Sequence, residues 1–129
     1  MIDKGVIERV FATDEDLYLR RWHGEPKTLK GLVDYTIKSI SEFDTELYTY
    51  GDEYGFFAVA GDILLSFGIK KEHRDKKEMF WDSLRKVIGN EFYGGVWIEN
   101  RNAIRFFEQA GGIVFNKNKE AVMYKFNFN

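Results

Sequence analysis

The stretch at residues 92–115, FYGGVWIENRNAIRFFEQAGGIVF, constrains the fold more than any other part of the chain, because strand, capped helix, glycine stop and strand follow one another within it. Phe92, Gly94, Val96 and Ile98 alternate with Tyr93, Gly95, Trp97 and Glu99, the period of a strand buried mainly on one side. Asn100 breaks that alternation. An Asn side chain accepts from the orphan N–H groups of a following helix, and Ala103, Ile104, Phe107 and Ala110 recur at helical spacing. Gly111 and Gly112, which tolerate positive φ, end the helix before the next strand.

The rest of the chain supplies compatible pieces. Residues 2–11 read as a first strand. Thr13, followed by Asp14, Glu15 and Asp16, reads as the cap and acidic first turn of a helix that ends near Arg20 and Arg21. A turn around Gly24 and Pro26 precedes Leu29, Leu32, Val33, Ile37 and Ile40, an amphipathic stripe that should lie on a sheet. Glu46–Tyr50, 56–60 and Ile63–Ile69 are short apolar runs parted by Gly51-Asp52 and Gly61-Asp62, the pattern of an antiparallel meander. A charged run at 70–77 leads into Met79, Phe80, Leu84, Val87 and Ile88, a helix face closed by Gly89-Asn90. Two final strands follow, with Asn116-Lys117-Asn118-Lys119 as their hairpin turn. The expected fold is a mixed α/β (α+β) single domain over residues 1–129, with a central sheet of about six to seven strands and about four helices on its faces.

With 129 residues, 44% hydrophobic and 17% aromatic, the chain can bury one sizeable core. It has no run apolar enough to cross a bilayer, and Asp3, Lys4, Glu8 and Arg9 come too early for a secretory leader, so a soluble cytoplasmic protein is expected. Cysteine is absent, which excludes a disulfide framework and a thiol nucleophile. His23 and His73 lie far apart without ligand-spaced partners, so no metal is expected. A net charge of −2 argues against a nucleic-acid binder built on residues 70–77, and Phe80 and Trp81 belong to the apolar helix face rather than to a stacking platform.

The element order and two segments, NRNAIRFFEQAGG at 100–112 and LLSFGIKKEHRDKKEMFWDSL at 64–84, resemble the GNAT superfamily of N-acetyltransferases. The resemblance implies a GNAT-like fold that holds acetyl-CoA on a strand–loop–helix and transfers its acetyl group to an amine of a small molecule or protein. Carried onto this chain, it assigns the cofactor to Phe67 and Ile69 in the strand and to Arg74, Lys76 and Lys77 for its pyrophosphate. Asn100 and Phe107 on the later helix complete that set. Helix N-termini bind phosphate through unpaired N–H donors and the positive end of the dipole. Two positions depart from the family pattern. Lys77 and Met79 stand where it has loop glycines, and Phe107 stands where many members have a tyrosine that protonates the CoA thiolate.

Acetyl transfer from a thioester needs the amine placed beside the carbonyl, an acceptor for the ammonium proton and a donor for the thiolate. Glu99, at the end of a strand, is the first candidate acceptor and Glu53 the second. Tyr93 and Tyr124 are the candidate donors. Ser66 is a candidate contact to substrate or cofactor, and Trp81 and Trp97 are candidate walls of an acceptor pocket. A narrower resemblance leaves a second function open. Val96-Trp97, Ile104-Arg105-Phe106 and Gly111-Gly112 make the second half similar to the small GNAT-like internal virion proteins of short-tailed phages. That likeness implies a catalytically degenerate fold with a binding or structural role and protein partners in a virion.

Overall fold

The computed structural model describes residues 3–21 and 27–129. Three helices come first: α1 (Lys4–Ala12), α2 (Glu15–Arg21) and α3 (Leu29–Ser41). Strands β1 (Glu46–Tyr50), β2 (Gly55–Ala60) and β3 (Ile63–Ile69) follow, then a 3-10 turn (Lys71–His73) and α4 (Lys77–Ile88). Strand β4 (Glu91–Trp97), helix α5 (Arg101–Gln109) and strands β5 (Ile113–Lys117) and β6 (Ala121–Asn127) complete the order. The six strands form one mixed sheet in the order β1-β2-β3-β4-β6-β5.

Helices cover both faces. On one, α4 and α5 bury Phe80, Leu84, Ala103 and Phe107 against Phe57, Leu64, Phe92, Tyr124 and Phe126. On the other, α1 and α3 bury Val6, Ile7, Val10, Phe11, Leu32, Val33 and Ile40 against Phe56 and Ala58. Among the described residues no helix is long and apolar enough to cross a membrane.

The first element is a helix, not the strand expected at residues 2–11. Val6, Ile7, Val10 and Phe11 are β-branched or aromatic, which suggests a strand, but their spacing of one, three and one residues puts all four on one helical face. Asp3 caps that helix by accepting from the N–H groups of Gly5 and Val6 at 2.9 and 3.4 Å. Thr13 is correspondingly not the cap of α2. It closes α1, donating its hydroxyl to the Val10 carbonyl at 2.8 Å and accepting from the Lys71 N–H at 3.1 Å. The turn expected around Gly24 and Pro26 lies outside the described residues. The last hairpin turns two residues later than expected, because Asn116 and Lys117 still pair with β6 and Asn118 takes the turn N–H groups of Glu120 and Ala121.

The relation of β3 to β4 matters most for function. They are parallel neighbours, yet only Ile63↔Tyr93 and Leu64↔Gly94 are in register. Beyond that point the strands diverge. A β-bulge explains the bend: Ala58 pairs with Ser66 and Val59 with Leu64, which leaves Leu65 as an extra residue in β3. The result is a wedge-shaped opening in the middle of the sheet.

Candidate functional site

The opening is the mouth of a cleft of about 600 Å³ that reaches both faces of the sheet. Its floor is β3 from Leu64 to Ile69 and the end of β4 from Gly95 to Trp97. Tyr18 of α2 and Tyr35, Thr36 and Ser39 of α3 line one side; Asn102, Arg105, Phe106 and Gln109 of α5 line the other, with Arg74 and Lys77 at the start of α4.

Strand alternation decides which main-chain groups face this space. Ile69 turns its N–H and C=O away from β2, and both meet the Tyr18 hydroxyl, at 3.2 and 2.7 Å. Burial pushes the Tyr18 phenol up from its usual range, so it stays protonated and able to donate. Gly68 then faces β2, and Phe67, two residues before Ile69, turns its N–H and C=O toward the opening. The Phe67 side chain lies on the α4/α5 face, stacked on Phe106 and Phe107 at 5.5 and 5.6 Å between ring centres.

At the end of the cleft next to α4, Arg74 is half-buried, ion-paired with Asp14 at 2.8 Å and set over the Tyr18 ring at 5.6 Å. Lys77 reaches Gln109 Oε1 at 3.2 Å, bridging α4 to α5. Lys76 is the N-cap residue of α4 and makes no side-chain cap bond, so the first N–H groups of the helix are not claimed by a capping side chain. Asn100 caps α5 through a 3.2 Å bond from the Ala103 N–H and lines the cleft.

Of the residues that the sequence suggested for the cofactor, Phe67, Ile69, Arg74, Lys77 and Asn100 therefore come together along one cleft. Lys76 does not join them. Its Nζ lies 3.0 Å from His73 Nδ1 and 5.3 Å from the centre of the Tyr54 ring, away from the cleft lining. Phe107 is fully buried and packs on Trp81, Tyr124 and Phe126; its neighbour Phe106 is the α5 aromatic that borders the cleft.

The suggested catalytic residues lie elsewhere. Glu99 is exposed in the turn after β4, outside the cleft lining. Tyr124 is 1% exposed in β6, and its hydroxyl donates to Glu108 at 3.0 Å. Burial, and next the bond to Glu108, push that phenol up to about 12, a poor match for a donor at neutral pH. Tyr93 lies on the opposite face of β4, against Phe115 and under Lys125. Glu53 is held by Arg9 at 2.7 Å and Lys70 at 3.2 Å, and the Arg9 bond first of all lowers its carboxyl to about 2, too weak a base to take an ammonium proton. Ser66 and Trp97 do line the cleft, whereas Trp81 is a core residue.

Sequence reasoning missed Tyr18, Tyr35 and Phe106. Tyr18 and Ile69 are 51 positions apart, and no local pattern reports such a contact. Phe106 stands next to the residue that the sequence suggested, and adjacent helical positions differ by about 100° in direction, so the two rings face different surroundings.

No family model matches the chain, and no curated protein does. Solved structures do match its fold. An acetyltransferase from Thermus thermophilus superposes with a TM-score of 0.73 at 16% identity, over 98% of this chain and 91% of that one. The PaiA N-acetyltransferase from Thermoplasma acidophilum, in complex with coenzyme A, gives 0.62 at 16% identity over 98% and 93%. The N-acetyltransferase PseH from Campylobacter jejuni, in complex with acetyl coenzyme A, gives 0.58 at 11% identity over 99% and 94%. The fold is GNAT-like.

Proposed function

We propose that this chain is an acyl-CoA-dependent N-acetyltransferase that draws an extended thioester co-substrate into the opening between β3 and β4 and passes its acetyl group to an amine. The splay of those two strands is the observation that carries this reading. It exposes the Phe67 N–H and C=O to an extended amide-bearing chain, which can pair with them as a missing strand would. Arg74, Lys77 and the uncapped start of α4 stand at one end of the same cleft, where a pyrophosphate would meet two cations and free N–H donors. In the fold relatives, PaiA is described with coenzyme A and PseH with acetyl coenzyme A, which supports the same co-substrate here.

Asn100 would fix the start of α5 beside the thioester, and Phe67 and Phe106 would wall its apolar arm from water. The loop lacks the family's glycines, so side-chain charge from Arg74 and Lys77 takes over part of what main-chain N–H groups otherwise do. Neither Tyr93 nor Tyr124 is placed to protonate the departing thiolate; with a thiol pKa of about 8.5 the thiolate is a good leaving group that departs without a protein donor and takes its proton from solvent afterwards. The alternative of a catalytically silent virion component rests on sequence motifs alone and has no structural observation in its favour.

Calorimetric titration with acetyl-CoA and CoA at moderate salt tests the reading. Saturable one-to-one binding, followed by amine-dependent release of free thiol, is expected. No heat and no thermal shift at millimolar co-substrate would overturn it.

A further inference from the structure

The connection from β3 to α4, which carries Arg74, lies on the surface. No residue of its 3-10 turn at Lys71–His73 is buried, so the core does little to fix it. It is tied instead to its neighbours by hydrogen bonds. The Lys70 N–H donates to the Tyr54 carbonyl at 2.8 Å, and the corner between α1 and α2 grips the rest. Tyr18 holds the main chain of Ile69, Thr13 accepts from the Lys71 N–H at 3.1 Å, and Asp14 takes Arg74 Nη1 at 2.8 Å. Asp14, which the sequence offers only as part of an acidic first turn, thus reaches a residue 60 positions away.

The two members of that pair stand in different places. Arg74 lines the cleft and Asp14 does not, so the guanidinium has the carboxylate behind it and the cleft in front. Asp14 engages one nitrogen of a planar fork with five N–H donors. The Tyr18 ring, 5.6 Å from the guanidinium carbon, supplies a second contact. Together they fix where the fork sits and how its plane tilts, and they leave donors for phosphate oxygens. Fixing a long side chain before the ligand arrives removes an ordering cost from binding, worth about threefold to tenfold in affinity.

We propose that Asp14 is a positioning residue for the co-substrate: it holds the Arg74 fork aimed into the cleft, so that the pyrophosphate meets a guanidinium already in place. This deepens the acetyltransferase reading and rests on it. The sign of the effect separates positioning from charge. A carboxylate behind the cation repels phosphate, so on charge alone its removal tightens CoA binding. Positioning gives the reverse, because without Asp14 the guanidinium is free to leave the orientation that phosphate needs.

The test is calorimetric titration with CoA, at moderate salt, of wild type, Asp14→Ala, Asp14→Asn, Arg74→Ala and the double variant Asp14→Ala/Arg74→Ala, with thermal unfolding of each. Asp14→Ala is expected to weaken binding about threefold to tenfold. Asp14→Asn, whose amide oxygen still accepts from Nη1, should stay within about twofold of wild type. In the Arg74→Ala background, Asp14→Ala should add less than about twofold, since its effect passes through Arg74. A gain in affinity for either Asp14 variant would show that the carboxylate only repels phosphate and would overturn the inference. So would an Asp14→Ala loss that persists undiminished without Arg74, the mark of a merely structural role. CoA binding that none of the variants changes would overturn this inference and leave the co-substrate reading standing. Failure of wild type to bind CoA would overturn both.

Discussion

The Tyr18 hydroxyl closes a two-way pair with the main chain of Ile69, donating to its carbonyl at 2.7 Å and accepting from its N–H at 3.2 Å. One phenol thereby satisfies both polar groups that β3 would offer to a neighbouring strand at that position, and it pins α2 to the end of the cleft. The splay of β3 from β4 is stable only because such groups find partners other than a strand. Tyr18→Phe leaves both unpaired at the cleft edge. A loss of about 1–2 kcal/mol is expected in urea unfolding, moderated by water that can reach the cleft.

Tyr50 presents the opposite case. Its ring is packed edge-on to Phe80 and Tyr54, and its buried hydroxyl has no hydrogen-bond partner among the described residues. Burial raises its pKa above the usual phenol range. Removing that hydroxyl while keeping the ring deletes an unpaired polar atom from an apolar site. Tyr50→Phe is therefore expected to be neutral or to stabilise the fold by up to about 1 kcal/mol, read from the same unfolding curves. A loss comparable to that of Tyr18→Phe would show that the hydroxyl has a partner after all.

Glu53 sets a pH dependence. The bond from Arg9, and then that from Lys70, lower its carboxyl from 4.5 to about 2 in the folded protein. A depressed carboxyl stabilises the fold above the unfolded pKa and loses that contribution as pH falls through the folded one. The window is therefore about pH 4.5 down to about 2. Wild type should lose stability relative to Glu53→Gln across that window, and the gap between the two should be constant above pH 5. A difference that changes between pH 6 and 8 instead would contradict the assignment.

Lys77 and Lys76 are adjacent in sequence but engage different surroundings, since only Lys77 borders the cleft while Lys76 lies against His73. Lys77→Ala is expected to weaken CoA binding about 10-fold to 100-fold, the worth of one charge-assisted hydrogen bond to phosphate. Lys76→Ala should change it by less than about threefold, the scale of a screened surface charge. Equal losses in the two variants would mean that the phosphates are held by diffuse charge rather than by the cleft.

Much of this arrangement is legible in the chain. The meander, α3, α4, α5 and the closing hairpin follow from alternation, helical spacing and glycine stops, because each depends on neighbours in sequence. The first helix is misread where β-branched Val6, Ile7 and Val10 outweigh a spacing that is helical. The site divides in the same way. Phe67, Ile69, Arg74, Lys77 and Asn100 reach the cleft because they sit on the strand–loop–helix that forms it or on the cap of the helix beside it. Lys76 is turned aside by His73, a contact set by the 3-10 turn at Lys71–His73. Tyr124, Tyr93 and Glu99 lie outside the cleft because strand faces and turn direction, not residue type, decide where a side chain goes.

The measurement that bears most directly on the central claim is an amide-resolved NMR titration of the protein with CoA. If the co-substrate lies between β3 and β4, the largest shifts should fall at the Phe67 amide and at the first turn of α4 around Lys77, saturating together at one equivalent. Shifts centred on β5 or the 118–120 turn, or none at millimolar CoA, would contradict it.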